Sequence, residues 1–201
     1  MSTRYKVVKD FSSFLRPNDI AIFSGEDLSR EAFEYDREGN FYILDSYGQG
    51  CNLALGLAIH TDKRIFSFVG DGEFMLEFGS APQAAVSRCL NLYYVILDNG
   101  CYQTAGGHPT ILREINSIKG CLFNLGFVVY DFTEYFRNKN RVAQIENVVG
   151  TMRGPAAIII KVDKRIKKDM CDVGSTKIDL KDRLVNFIAK SSGTSLFVPP
   201  M

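Results

Sequence analysis

Arg64-Ile65-Phe66-Ser67-Phe68-Val69, closed by Gly70-Asp71-Gly72, is the stretch from which the fold is read. Leu92-Tyr93-Tyr94-Val95-Ile96-Leu97, closed by Asp98-Asn99-Gly100, has the same form. Each is a near-continuous apolar run that stops at glycine and polar residues. Such runs mark strands buried on both faces, as in a parallel sheet covered by helices; a sheet with one wet face would alternate. Asp19-Ile20-Ala21-Ile22-Phe23, Phe41-Tyr42-Ile43-Leu44, Gly126-Phe127-Val128-Val129-Tyr130 and Ala156-Ala157-Ile158-Ile159-Ile160 read the same way.

Helical segments lie between these runs. Cys51 to His60 places Leu53, Leu57 and neighbouring alanines on one face. Ser80 is read as the cap of a helix reaching Cys89, with Pro82 in its first turn. Asp131 or Thr133 starts a segment to Val149 whose apolar positions are Phe136, Val142, Ile145 and Val149. Ile178 to Ala189 reads as an amphipathic helix. Strands alternating with helices predict an α/β fold of three layers, α/β/α, around a mainly parallel sheet of about six strands. No internal repeat or low-complexity linker divides the chain, so residues 1–201 read as one domain, with a loosely held tail from Ser191 to Met201.

Composition narrows the function classes. The 201 residues are 46% hydrophobic and 23% charged, which excludes a disordered chain, a fibre and a coiled-coil rod. Twenty-four basic residues against 23 acidic ones leave a formal charge of +1, so no overall field favours nucleic acid or an anionic membrane. Met1 to Asp10 is polar and no apolar run approaches 18 residues, so neither a signal peptide nor a spanning helix is expected. The cysteines at 51, 89, 101, 121 and 171 are odd in number and never spaced C-x-x-C. They read as reduced thiols of a cytoplasmic protein.

Ligands of such a sheet sit beyond the carboxyl ends of the strands. The loops after Leu44, Val69 and Leu97 are all glycine-rich: Ser46-Tyr47-Gly48-Gln49-Gly50, Gly70-Asp71-Gly72, and Asn99 to Gly107. Gly-Asp-Gly alone is as consistent with an ordinary tight turn as with a cation site. Asn99, 28 positions after Asp71 at the end of the next strand, strengthens the second reading. Adjacent parallel strands end about 5 Å apart. A carboxylate, an amide oxygen and a loop carbonyl placed there form a hard oxygen site, which phosphate oxygens and water complete for Mg²⁺.

Gly70-Asp71-Gly72, then 26 residues, then Asn99 resembles the cofactor motif of thiamine diphosphate-dependent enzymes. The resemblance extends over roughly Phe41 to Lys161. Asp98-Asn99-Gly100-Cys101-Tyr102-Gln103-Thr104-Ala105-Gly106-Gly107-His108-Pro109-Thr110 is most similar to the corresponding loop of phosphonopyruvate and sulfopyruvate decarboxylases. It implies that Asp71, Asn99 and the backbone oxygen of Cys101 hold Mg²⁺. Glu73 and Thr104, with Gly70, Gly72 and Tyr102 around them, then fall at the diphosphate. Asp45, Ser46, Tyr47 and Gly48 fall on the loop that holds the aminopyrimidine. There the family usually has Gly where this chain has Asp45, and an aliphatic wedge where it has Tyr47. His108 stands where the subgroup commonly has Gln; substrate contact and a solvated loop histidine are both open.

The implied activity is decarboxylation of a 2-oxo acid. In the family, a glutamate from a separate pyrimidine-binding domain is also needed, and 201 residues have no room for that domain. The chain therefore resembles the β-type subunit of a complex whose α-type partner supplies that glutamate, expected to assemble as α₂β₂ or larger, with apolar surface expected around Tyr47, Cys51 and Tyr102. Two alternatives stay open: a carboligase or acyl transferase subunit of the acetolactate synthase kind, and a cofactor-binding subunit without turnover. His60 reads as a favourable cation at a helix end, and the Cys101 thiol as incidental. Lys161 to Lys168 (KVDKRIKK) reads as a solvated face, or as a contact for a partner or a dianionic substrate.

Overall fold

The computed structural model describes residues 3–113, 118–132, 141–167 and 169–192. In chain order the elements are α1 (Arg4–Ser12), β1 (Ile20–Ser24), α2 (Glu26–Phe33), β2 (Asn40–Ile43), α3 (Gly50–His60), β3 (Ile65–Gly70), α4 (Asp71–Leu76), α5 (Ser80–Ser87), β4 (Leu92–Asp98), β5 (Cys101–Tyr102), β6 (His108–Pro109), α6 (Ile118–Asn124), β7 (Val128–Asp131), α7 (Arg141–Thr151), β8 (Ala156–Lys161) and α8 (Lys177–Ser192). Six strands form one sheet in the order β2-β1-β3-β4-β8-β7, and every neighbouring pair is parallel. β5 and β6 make a separate antiparallel hairpin.

The apolar runs become strands because each side chain of the central strands has a buried place on one face or the other. Ala21, Phe23, Phe66, Phe68, Tyr93 and Val95 point to the side covered by α1, α2 and α7. Ile20, Ile22, Ile65, Leu92, Tyr94 and Ile96 point to the side covered by α3, α4, α5 and α6, where Leu184 and Phe187 of α8 also pack. The layers are thus α/β/α, as the pattern of apolar runs predicts. On the first side Phe68 lies between Phe23, stacked at 4.7 Å, and Phe11, edge-on at 5.4 Å. Aromatic pairs at these separations add to what area burial alone contributes.

Local structure departs from the sequence reading at several places. α1, α2, α4, α6 and the β5–β6 hairpin were not anticipated. α2 reads as polar because it buries Ser29 and Glu31 along with Leu28 and Ala32; Glu26 and Asp27 in its first turn suit the positive end of its dipole. The turn into it needs Gly25, whose φ is +102°. In α3 the buried face is Cys51, Ala54, Leu55 and Ala58, while Leu53 and Leu57 are only half-buried, because small residues let the helix approach the sheet. Ser80 is not a cap. Gly79 holds that position, and the Ser80 hydroxyl accepts a hydrogen bond from Tyr94 at 3.2 Å. Ile145 and Val149 are buried as read; Phe136 and the tail 193–201 lie outside the described residues.

No described helix is long and apolar enough to cross a membrane. All five cysteines are unpaired, with Cys51, Cys89 and Cys101 buried. Phe68 is completely buried, so Phe68→Ala should lower stability by about 3–5 kcal/mol. Urea unfolding checks this: the midpoint should fall with the slope unchanged, and a loss below ~1 kcal/mol would contradict the packing described.

Candidate functional site

β1, β3 and β4 lie side by side at the centre of the sheet, so the loops at their carboxyl ends converge. Strand register sets Gly70 of β3 against Leu97 of β4. From that level the chain delivers Ser24 and Gly25, then Gly70 to Glu73, then Asn99 to Ala105 around one cleft of about 290 Å³. Tyr47 and Leu76 line its mouth and are 48% and 65% exposed.

Asp71 begins α4 and is 1% exposed. Its Oδ2 accepts the Thr110 hydroxyl and its Oδ1 the Asn99 backbone N–H at 3.3 Å. Asn99 is oriented in turn: its Oδ1 accepts the Cys101 N–H at 2.9 Å, and its Nδ2 donates to Gln103 at 3.1 Å. Asp98 steadies the base of the same loop, accepting the Gly100 N–H and the Lys161 ammonium, both at 2.9 Å. Gly100 takes φ +70°, which its lack of a Cβ permits. The ring of Tyr102 lies flush on Gly72, so any side chain at 72 would collide with it. A side chain built at Gly70 meets no atom within 4 Å, so this glycine leaves the floor of the cleft open.

Two more carboxyls follow, one within α4 and one at its end. Glu73 Oε1 accepts the Ser24 hydroxyl at 2.5 Å and the Gly48 N–H at 3.2 Å. Glu77, 2% exposed, accepts the N–H groups of Cys51 and, at 3.2 Å, Asn52. Burial pushes the carboxyls of Asp71, Glu73 and Glu77 up from the usual range, that of Glu77 to about 7.

The structure brings Tyr47, Gly70, Asp71, Gly72, Glu73, Asn99, Cys101, Tyr102 and Thr104 to this cleft. Gly48 does not line it but ties to it through Glu73. Asp45 and Ser46 lie along a neighbouring groove with Leu53 and Leu180, where Asp45 pairs with Lys177 at 2.5 Å. His108 is exposed on β6, opposite the cleft residue Tyr102, and does not itself line the cleft. Cys51 is fully buried, which corrects the expectation of apolar surface there: it packs under α3 against the sheet. His60 ends α3 with Nδ1 2.8 Å from the Gly56 carbonyl oxygen. In the basic run, Lys161 and Arg165 pair with Asp98 and Asp163, and Lys167 with Glu34. Ser24, Thr110 and Glu77 were missed; they reach their partners from 49, 39 and 26 positions away, and no local pattern marks them.

These carboxyls give a pH dependence with a definite sign. A carboxyl raised in the folded state holds its proton more tightly there than in the unfolded chain. Its stabilising share is complete below the ordinary value of 4.5 and is lost as pH rises through about 7 for Glu77. The melting temperature of the cofactor-free chain should fall over that window, and Glu77→Gln should flatten the fall. An equal slope in both proteins, measured by calorimetry, would contradict the burial of Glu77.

Comparison with known proteins places this geometry. Residues 30–137, a little over half of the chain, match the thiamine pyrophosphate enzyme, C-terminal TPP binding domain. The sulfopyruvate decarboxylase subunit beta of Methanothermobacter thermautotrophicus is 28% identical over 83% of this chain and 84% of its own length. The phosphonopyruvate decarboxylase of Streptomyces hygroscopicus is 30% identical over 57% of this chain, but the match spans only 29% of that longer protein. Among solved structures, the thiamine diphosphate-dependent 4-hydroxybenzoylformate decarboxylase of Rhodococcus jostii superposes on 83% of this chain, and on 33% of its own, with a TM-score of 0.58 at 14% identity, a likeness of fold. A cleft built on Gly70-Asp71-Gly72 and Asn99 at the carboxyl ends of β3 and β4, within a sequence matched over residues 30–137, identifies the chain as a member of the thiamine pyrophosphate enzyme family through its C-terminal TPP-binding domain.

Proposed function

We propose that this chain is the diphosphate-binding, β-type subunit of a thiamine diphosphate- and Mg²⁺-dependent 2-oxo acid decarboxylase of the sulfopyruvate and phosphonopyruvate kind. The observation that carries this reading is the meeting of Asp71 and Asn99 at one end of the cleft, in a chain whose relatives include a sulfopyruvate decarboxylase subunit beta.

The residues present suit the group. No three His, Cys, Asp or Glu side chains converge as a metal centre among the described residues. The oxygen set is one carboxylate, one amide and a loop carbonyl, the hard donors that Mg²⁺ takes together with phosphate oxygens and water. Asp71 and Asn99 would hold the ion by their side chains and Cys101 by its backbone oxygen. Gln103 fixes which way the Asn99 amide faces. A cation beside Asp71 removes the disadvantage of an ionised carboxyl in a dry site. The Thr104 hydroxyl on the cleft wall is a donor for a phosphate oxygen. Tyr47 presents its ring at the cleft mouth, as the residue against which the pyrimidine end rests. The bound cofactor supplies the electron sink for loss of CO₂.

A partner completes the site. The exposed Tyr47 and Leu76 at the cleft mouth are apolar surface for that partner, an α-type subunit that contributes the glutamate acting on the pyrimidine. We read the assembly as α₂β₂ or larger and its compartment as the cytoplasm, in keeping with five free cysteines. His108, exposed on the hairpin, carries no step in this reading.

Asp71→Ala should weaken Mg²⁺-dependent thiamine diphosphate binding by more than the roughly 10–100-fold that follows loss of an outer partner. Calorimetric titration with and without Mg²⁺ checks this, and unchanged affinity removes the metal assignment. The chain alone, saturated with cofactor, should release no CO₂ from sulfopyruvate or phosphonopyruvate, and should gain rates on the order of 1 s⁻¹ with its partner. Such turnover by the chain alone would overturn the two-subunit reading.

A further inference from the structure

α3 starts without a cap of its own. Gln49, at its N-cap position, makes no side-chain hydrogen bond to the first turn. The open N–H groups of Cys51 and Asn52 are taken instead by Glu77, which reaches over from the end of α4. That carboxylate serves as a helix cap drawn from a different element, since amides of a first turn need an acceptor. One helical turn earlier, Glu73 takes the Gly48 N–H in the same manner. The segment between is short of alternatives. Gly48 holds φ +77°, Gly50 lies so close to β1 that a Cβ there would stand 2.6 Å from that of Ser24, and the Asn52 side chain closes back on the Gly48 carbonyl at 3.3 Å.

Gly48 to Asn52 is therefore gripped at both ends by carboxylates of the element that begins with Asp71. Tyr47 directly precedes the gripped segment and faces the cleft. We propose that Glu77 is a positioning residue: through the Cys51 and Asn52 amides it locks the Tyr47 loop to the Asp71 end of the cleft, so that the two ends of the cofactor site keep a fixed separation. This rests on the reading of the cleft as a thiamine diphosphate site. Glu77 touches no reacting group and acts through the loop alone. Its Oε1 is buried without a hydrogen-bond partner, so it is the accepting Oε2 that carries the role. The charged or titratable groups facing it are Glu73 on its own side, Cys51 on α3 and Tyr94 on β4.

The test compares Glu77→Gln, which keeps an oxygen acceptor for both amides, with Glu77→Leu, which keeps bulk and removes it. Calorimetry with Mg²⁺ and thiamine diphosphate on the full chain should give Glu77→Gln an affinity within about threefold of the parent, and Glu77→Leu a loss of about 10–100-fold. Amide hydrogen exchange without cofactor should show Gly48, Cys51 and Asn52 opening together in the parent, and at least ~10-fold faster in Glu77→Leu. Parent-like binding by Glu77→Leu overturns the proposal, as does an equal loss in Glu77→Gln, which would make the charge rather than the accepted hydrogen bonds the cause. Should Glu77→Leu not fold, the parent's exchange decides: independent opening of Gly48 and Cys51 also overturns it. A parent that binds no cofactor strikes the reading of the cleft instead, while the exchange result still judges the clamp.

Discussion

Three carboxyl groups, Asp71, Glu73 and Glu77, are buried within seven residues after β3, and the loops of the active edge are arranged around that constraint. A desolvated carboxylate must find donors, because leaving one unmet costs several times what a hydrogen bond returns. Each of the three draws its donors from a different place: Thr110 and Asn99 for Asp71, Ser24 and Gly48 for Glu73, Cys51 and Asn52 for Glu77. The ends of β1, β2 and β4 are thereby stitched to α4. A helix of six residues would not persist by itself in water; this one is held from three sides and by Phe74, which packs edge-on against Tyr94 and Phe78.

The same constraint shapes the charge of the cleft. Asp71, Glu73, Glu26 and Asp27 line it, and Arg4 is the cation among its lining residues. Arg4 is committed to Glu31 at 2.7 Å and stands 3.9 Å from Asp27. A cleft so lined disfavours a bare diphosphate on electrostatic grounds, which supports the proposal that a divalent cation accompanies it.

The strands were legible because four- to six-residue apolar runs have few other uses, and all six lie where those runs are; Gly126 to Tyr130 departs from the reading in burial, because β7 is an edge strand whose Val128 is exposed. Legibility failed where an element is short or polar. α4 and the β5–β6 hairpin sit inside glycine-rich loops, whose composition masks regular structure, and α2 hides a completely buried Glu31 that only the ion pair with Arg4 explains. In the site, Asp71 and Asn99 could be read because strand ends fix their spacing. Ser24, Thr110 and Glu77 could not, since their importance lies in partners far along the chain. Asp45 and Ser46 show how far sequence adjacency reaches: neighbours of Tyr47 in the chain, they line a different groove.

The strand order also has a consequence for how this protein is made. β7 precedes β8 in the chain but lies outside it, so β4 pairs with β3 on one side and must wait for β8 on the other. Between the synthesis of β4 and that of β8 a ribosome adds about 60 residues, which at typical speeds takes roughly 3–12 s. During that interval the edge of Leu92-Tyr93-Tyr94-Val95-Ile96-Leu97, a buried central strand, lacks its second neighbour. An unpaired edge of that composition invites pairing with another nascent chain. Yield in a heterologous host should thus be governed by chaperone supply and translation speed over residues 98–156 more than by the stability of the finished fold.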